Sequence, residues 1–340
     1  MKSKTKLAKA GTRTSGKVST KLPTKADLPP SLASVARVYR GRRELHNQIA
    51  RDRADRYAAY IKKVENPTEP PGREAIRSFD IKSTRANLRI LAEGDSWFDY
   101  PYRLEAGVPV PVEDGIITGL EKLLGYPIAN MAHFGLELEQ MMGLSLRQEI
   151  ISRLSGGAKF DAMLFSGGGN DLVGDQFCIW FKSTPPAPAP SQLIDLEAVN
   201  SIMALLEAEY RELINIRNTY SSETVIFVNS YDYPIVNGKP AICGVGPWMK
   251  PGLDYIYHQL GVQKPSPNDE YQVVKALLQE FSKMLSRIAA DPHVKNFVVV
   301  PTQGTLSPVD SDWQNEIHPT SKGFLKLAAI FKASLGSVFP

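Results

Sequence analysis

Leu88-Arg89-Ile90-Leu91-Ala92 runs directly into Glu93-Gly94-Asp95-Ser96-Trp97-Phe98. The first of these stretches reads as a short buried strand, and the second reads as a turn. Gly94 permits a tight bend, and Asp95 can brace it through nearby backbone N–H groups. A serine is thereby delivered just beyond the C-terminal end of a strand, the place where open α/β sheets hold their ligands.

Working outward, the same rhythm repeats. Residues 128–132, 162–165, 224–229 and 297–300 are further short apolar runs. Helical patterns lie between them at 113–124, 137–154, 195–220, 268–290 and 321–335. Short apolar strands alternating with longer amphipathic stretches predict an α/β fold with a parallel sheet. Five strands with intervening helices fit a flavodoxin-like three-layer sandwich spanning residues 85–340. Two insertions interrupt it. Residues 182–193 include Pro185, Pro186, Pro188 and Pro190, which predicts a stiff extended surface segment. Residues 231–267 form a longer loop rich in aromatic residues, a usual place for a binding site.

Upstream, the composition changes. Lys2, Lys4, Lys6, Lys9, Arg13, Lys17, Lys21 and Lys25 all precede the first acid, Asp27. Residues 1–30 lack hydrophobic periodicity and are expected to be a disordered basic tail. Such a tail serves solubility, or weak electrostatic contact with nucleic acid or an anionic membrane; its Ser/Thr/Lys-rich makeup also resembles an organellar transit peptide. Residues 31–84 read as a charged helical arm, with Leu32, Val35, Val38, Tyr39, Leu45, Ile49, Tyr57 and Tyr60 near helical spacing, followed by a linker.

The net charge of +4 is small for 340 residues and belongs largely to the tail. No apolar run approaches the ~20 residues that span a bilayer. The N-terminus has no apolar stretch of the secretory kind, so a cytoplasmic location is the default expectation. Cys178 and Cys243 stand far apart in no metal-ligand or redox spacing, which predicts ordinary thiols and no zinc site.

Three more segments join the Gly94-Asp95-Ser96 turn as candidates for chemistry. Ser166-Gly167-Gly168-Gly169-Asn170-Asp171 follows a strand, and an Asn side-chain N–H at such a place can donate to a developing oxyanion. The bland alternative is a glycine turn with Asn in the left-handed region. Asn130-Met131-Ala132-His133-Phe134-Gly135 also follows a strand, and the Gly135 N–H is a further donor candidate. Trp313-Gln314-Asn315-Glu316-Ile317-His318-Pro319 lies between the last strand and the last helix. A serine hydroxyl needs an adjacent imidazole to take its proton, and His318 is placed for that topologically. His46, His258 and His293 have no neighbouring motif, and His133 falls in a loop expected to meet substrate.

In this order, the four segments resemble the SGNH hydrolases, also called GDSL esterases and lipases. The resemblance runs from about Leu88 to Leu335 and matches Ser96, Gly135, Asn170 and His318 to that family's Ser, Gly, Asn and His. It implies an ester-cleaving serine enzyme with no cofactor, working through an acyl-enzyme. Ser96 is then the nucleophile, His318 the base, and the Ser96 and Gly135 N–H groups with the Asn170 amide the oxyanion donors. The family usually has Asp three residues before the histidine, and here Asn315 stands there. That leaves a Ser–His pair oriented by a backbone carbonyl, a relocated acid at Glu316 or Asp312, or a weakened enzyme. Asp171 is expected to brace the glycine turn. Trp97, Phe98, His133, Tyr231 and Trp248 are candidates for the substrate pocket. The substrate class stays open among lipids, short acyl esters and acetylated sugars. Acyl transfer on the same residues and a non-catalytic scaffold that keeps the fold are the alternatives.

Overall fold

The computed structural model describes residues 30–65, 87–105, 108–156, 159–241, 244–262 and 265–340. The basic tail before residue 30, the linker at 66–86 and Cys243 lie outside the described residues. The chain divides into two compact units, Met1–Gln48 and Ile49–Pro340. Helix α1 (Pro30–Glu65) crosses that division, so its second half groups with the sheet. The expected start of the main unit at residue 85 therefore misses a part of α1 that bonds to it.

After α1 come β1 (Ile90–Gly94), an antiparallel hairpin of β2 (Tyr100–Glu105) and β3 (Val108–Asp114), α2 (Ile116–Leu124), β4 (Ala129–Asn130), α3 (Leu138–Met142) and α4 (Leu144–Ser155). There follow β5 (Ala162–Ser166), α5 (Gly169–Leu172), α6 (Leu196–Tyr220), β6 (Val225–Asn229), α7 (Lys250–Gln259), α8 (Pro267–Ala290), β7 (Phe297–Val300) and α9 (Ser321–Val338). One sheet runs β4-β1-β5-β6-β7, parallel throughout. This is the flavodoxin-like order, with the hairpin set aside as a separate two-stranded ribbon. The three-layer α/β sandwich predicted from the sequence is therefore the architecture found.

The reason the strands were readable is burial. Every residue of β1, β5 and β6 is buried, as a parallel sheet covered by helices on both faces demands, and such strands read as continuous apolar runs. Side chains cap several helix starts. The Asp195 carboxylate accepts from the Glu197 and Ala198 N–H groups at the head of α6. Ser266 and Asp269 form a reciprocal box around Pro267 at the head of α8.

Besides the β2–β3 hairpin, which the sequence reading did not expect and which runs into the start of the helix expected from residue 113, three features differ from the sequence expectation. The single helix expected over 137–154 is two, because Gly143 takes an extended conformation (φ −65°, ψ 158°) as both the end of α3 and the start of α4. The loop expected over 231–267 contains α7. The segment 182–193 is mostly exposed, as expected, but is not extended throughout, since Pro190–Gln192 form a 3-10 turn.

The chain goes from β1 outward to β4 and then crosses back to β5, so β1 and β5 are neighbours whose connections leave in opposite directions. A crevice forms at the C-terminal ends of such a pair. Both the Ser96 turn and the triple-glycine loop open into it.

Candidate active site

The Ser96 turn is built by close approach and by one carboxylate. Gly94 lies so near β5 that a Cβ there would meet the Ser166 carbonyl oxygen at 2.7 Å, so no larger residue fits. The next residue, Asp95, is buried, and its side chain gathers three donors. Oδ1 accepts from the Trp97 N–H (3.0 Å) and the Ser166 hydroxyl (2.8 Å), and Oδ2 accepts from the Tyr231 hydroxyl (2.5 Å). Burial pushes the Asp95 carboxyl up to about 6, against the pull of those donors. The brace expected of Asp95 is present and reaches further than its own turn.

After β5, Gly168 takes φ +100°, with Phe281 packed at the place a Cβ would occupy. That glycine supplies the left-handed residue, so Asn170 sits inside the short helix α5 instead of in the left-handed region itself. The Gly169 N–H donates to the Tyr231 hydroxyl at 3.0 Å. Asn170 Nδ2 donates to the Leu136 carbonyl at 2.8 Å, which fixes where its second N–H points. Asp171 does not brace the glycine turn. Its carboxylate accepts from the Leu138 N–H (2.8 Å) at the head of α3.

His318 is carried by a tight loop ahead of α9. The Gln314 N–H donates to the His318 carbonyl at 2.9 Å, Trp313 and Pro319 form a lone antiparallel bridge, and Thr320 caps α9 by accepting from the Gly323 N–H. The result sets His318 Nε2 2.8 Å from Ser96 Oγ. The other ring nitrogen, Nδ1, lies 3.0 Å from Asn315 Oδ1.

The surroundings of Asn315 determine the tautomer. Its Oδ1 also accepts from the backbone N–H groups of Ile317 (3.1 Å) and His318 (3.0 Å), while its Nδ2 donates to the Tyr100 hydroxyl at 3.2 Å. A flipped amide would point its own N–H groups at those donors, so oxygen faces the ring. Nδ1 therefore carries the proton, Nε2 is the acceptor, and the Ser96 hydroxyl donates to it. Tyr100 lies over the imidazole (centroids 4.3 Å apart) and Trp248 meets it edge-on at 5.4 Å. Burial lowers the His318 pKa to about 3, which keeps the imidazole neutral.

The two relocated acids considered from sequence are engaged elsewhere. Glu316 points away from His318: its carboxylate accepts from the N–H groups of Gly238, Trp248, Met249 and Lys250, closing the head of α7. Asp312 accepts from the Ser307 N–H and pairs with Lys326 at 2.7 Å. The group that orients the imidazole is the Asn315 side chain, not a backbone carbonyl.

Of the candidate pocket residues, Trp97 and Tyr231 line a chamber with Ser96, and Trp248 lines another. Trp97 is also tied down, its Nε1 donating to the Ile317 carbonyl at 3.0 Å. Phe98 is a correction, for it is fully buried and packs edge-on against Phe331 of α9. His133 is another: its ring stacks on Phe134, with Nδ1 2.8 Å from the Phe134 carbonyl, and it lines neither chamber.

Sequence reasoning missed the arm. Arg53, 1% exposed, forks onto both carboxylate oxygens of Glu93 in β1, and its Nε donates to Glu149 at 2.6 Å. Arg56 reaches Asp99 and the Ala132 carbonyl, each at 3.0 Å. Glu93 and Asp99 stand three residues before and after Ser96, so two adjacent turns of α1 grip both sides of the Ser96 turn. The only local signal was charge on a helical pattern, which does not name a partner.

Among the described residues no cluster of His, Cys, Asp or Glu could hold a metal ion, and no helix is long and apolar enough to cross a membrane. Cys178 is a free thiol.

No protein-family model matches this sequence, and no curated protein matches it at a significant level. Solved structures do. The chain is similar to the lipase Lip_vut3 from a goat rumen metagenome, at 15% identity over 72% of this chain and 96% of that one, with a TM-score of 0.45. It is similar to a family 3 carbohydrate esterase from Clostridium thermocellum at 15% identity, over 74% and 96%, with a TM-score of 0.42. A member of the lipolytic protein G-D-S-L family from Veillonella parvula is similar at 12%, over 72% and 96%, with a TM-score of 0.39. At such identities the chemistry has to come from the side chains of this chain.

Proposed function

We propose that this protein is a serine hydrolase that cleaves carboxylic esters through a Ser96–His318 pair. The observation that carries the reading is the 2.8 Å contact from Ser96 Oγ to an imidazole whose tautomer is fixed by Asn315. His318 Nε2 takes the Ser96 proton as Oγ bonds to the ester carbonyl carbon. The tetrahedral oxyanion is received by the Ser96 and Gly135 N–H groups and the Asn170 amide, donors worth roughly 3 kcal/mol each elsewhere. Gly135 and Asn170 line one chamber with Ser96, in support of that role. The imidazolium then returns its proton to the leaving alcohol oxygen, and water repeats the sequence on the acyl-enzyme to free the acid and Ser96. Asn315 supplies orientation and no charge, so the imidazolium is stabilised less than beside a carboxylate.

A fluorophosphonate probe tests the reading. Ser96 is expected to take one covalent label in the folded protein and none after His318→Ala. A folded protein that stays unlabelled at Ser96 would sink it.

A further inference from the structure

Two chambers meet at Ser96, and their walls differ in one respect that assigns them. Ser96, Asn170 and Ile317 line both. His318 lines only one, together with Tyr100, Phe134, Val245 and Trp248. The other, the inward chamber, is lined by the buried side chains of Leu172, Phe177, Met249, Val274 and Leu277.

Proton delivery decides which part of an ester goes where. The leaving oxygen must receive its proton from His318, so the alcohol portion departs on the side that the imidazole lines. The acyl portion is left for the inward chamber. We infer that this inward chamber is an acyl pocket for a short, unbranched, apolar acyl group, and that the protein acts on short-chain esters of apolar or aromatic alcohols. This rests on the hydrolase reading above and narrows it.

Size sets the chain length. The inward cavity measures about 50 Å³, room for roughly four water-sized groups at ~10–15 Å³ each. Its lining includes Val274 and Leu277 of α8, both buried, and these side chains limit the length of chain it can take. The leaving-group chamber is larger, about 190 Å³, and its outer wall holds exposed Phe134 and Val245.

Polarity argues against a sugar. The two carboxylates at the inward wall are already engaged: Asp95 as described, and Asp232 by the N–H groups of Gly304 (2.6 Å), Leu306 (2.6 Å) and Tyr233 (2.7 Å). On the His318 side the Tyr100 hydroxyl accepts from Asn315 and Gln314. A sugar brought there would lose water from its hydroxyls with few partners in return.

A p-nitrophenyl ester series from acetate to dodecanoate tests the pocket on the full chain. kcat/KM is expected to peak near butyrate and to fall by about tenfold or more by decanoate, in line with the discrimination an apolar pocket gives. Leu277→Ala is expected to move the optimum to longer chains, and Val274→Phe to move it to acetate. The two variants read the same wall in opposite directions, so one that fails to fold leaves the other. Rates that climb steadily with chain length or an optimum unmoved by the folded variant would each overturn the acyl-pocket assignment, and faster release of acetate from an acetylated sugar than from phenyl acetate would overturn the assignment of apolar or aromatic alcohols. Labelling by a small methyl fluorophosphonate separates the two failures. A labelled Ser96 with no chain-length preference rejects this pocket alone, whereas no labelling by any probe rejects the hydrolase reading and the pocket with it.

Discussion

The turn that carries Ser96 and the loop that carries His318 handle charge in opposite ways. Around Ser96, three carboxylates lie within three residues, and each is used to hold the turn: Glu93 by Arg53, Asp95 by Tyr231 and Ser166, Asp99 by Arg56. Around His318, the buried carboxylates of Glu316 and Asp312 are engaged away from the ring, Glu316 at the head of α7 and Asp312 with Lys326, and the imidazole receives a neutral amide. One region uses charge to fix a shape. The other fixes a tautomer without charge, and that separates two functions which a carboxylate in a full triad performs together.

The largest effect expected from breaking this contrast is on turnover. His318→Ala should lower kcat on a reactive ester by about 10²–10⁴-fold, the range a general base supplies. Asp312→Asn should leave kcat near that of the parent and lower only the unfolding midpoint, because Asp312 serves the loop through Lys326. A comparable loss of kcat in the Asp312 variant would place an acid in the site after all.

On the Ser96 side the effect is on stability. Arg53→Ala strands the Glu93 carboxylate in the sheet, and removing one partner of a buried pair costs about 3–5 kcal/mol. Urea unfolding of the variant measures it. Replacing both partners with apolar residues, Arg53→Met with Glu93→Leu, should recover most of that loss. If the double variant is no more stable than the single one, the Arg53–Glu93 pair is not what holds α1 to β1.

Asn315→Asp sharpens the other side. A carboxylate there would still accept from Nδ1 and the two backbone N–H groups, and would add the missing charge. The His318 pKa, lowered to about 3 by burial alone, should rise, making the ring a stronger base. An increase in kcat of about tenfold is expected, one pKa unit of basicity being about 1.4 kcal/mol. A fall would mean that the neutral amide is required by the site's packing.

A further effect is on pH dependence. His318 in the folded chain stays neutral well below the ordinary value of about 6.5, so the unfolded chain binds more protons between pH 6.5 and 3 and stability falls on acidification through that window. Asp95 works the other way. Its carboxyl, raised to about 6, takes a proton in the folded chain first, so its contribution favours folding as the pH drops from 6 towards 3.8. His318→Gln removes only the first term, and its melting temperature should decline less between pH 7 and 5 than the parent's. An equal decline would show that His318 does not titrate as described.

The legible part of the molecule was whatever is encoded locally. Buried parallel strands announce themselves as apolar runs, and the helices between them as longer amphipathic stretches. The four motif segments sit at strand ends because the sheet requires turns there. Features that depend on distant partners were not legible. Tyr100 lies in the β2–β3 hairpin, which was missed because Pro101, Pro109 and Pro111 obscure strand alternation. Tyr231 looked like a pocket aromatic, yet its hydroxyl ties the Ser96 turn to the glycine loop across 136 and 62 residues of sequence. Nothing beside Glu93 says that its partner lies 40 residues upstream.

That pairing also bears on how the molecule is put together. Glu93 occupies a central strand and is 1% exposed, so burying its charge is costly unless a cation pairs with it, and Arg53 is that cation. Residues 87–340 contain every strand of the sheet, but closing that sheet alone would bury a lone carboxylate. Arg53, which lies in the arm, therefore belongs to the interior of the sheet domain as fully as a strand residue does.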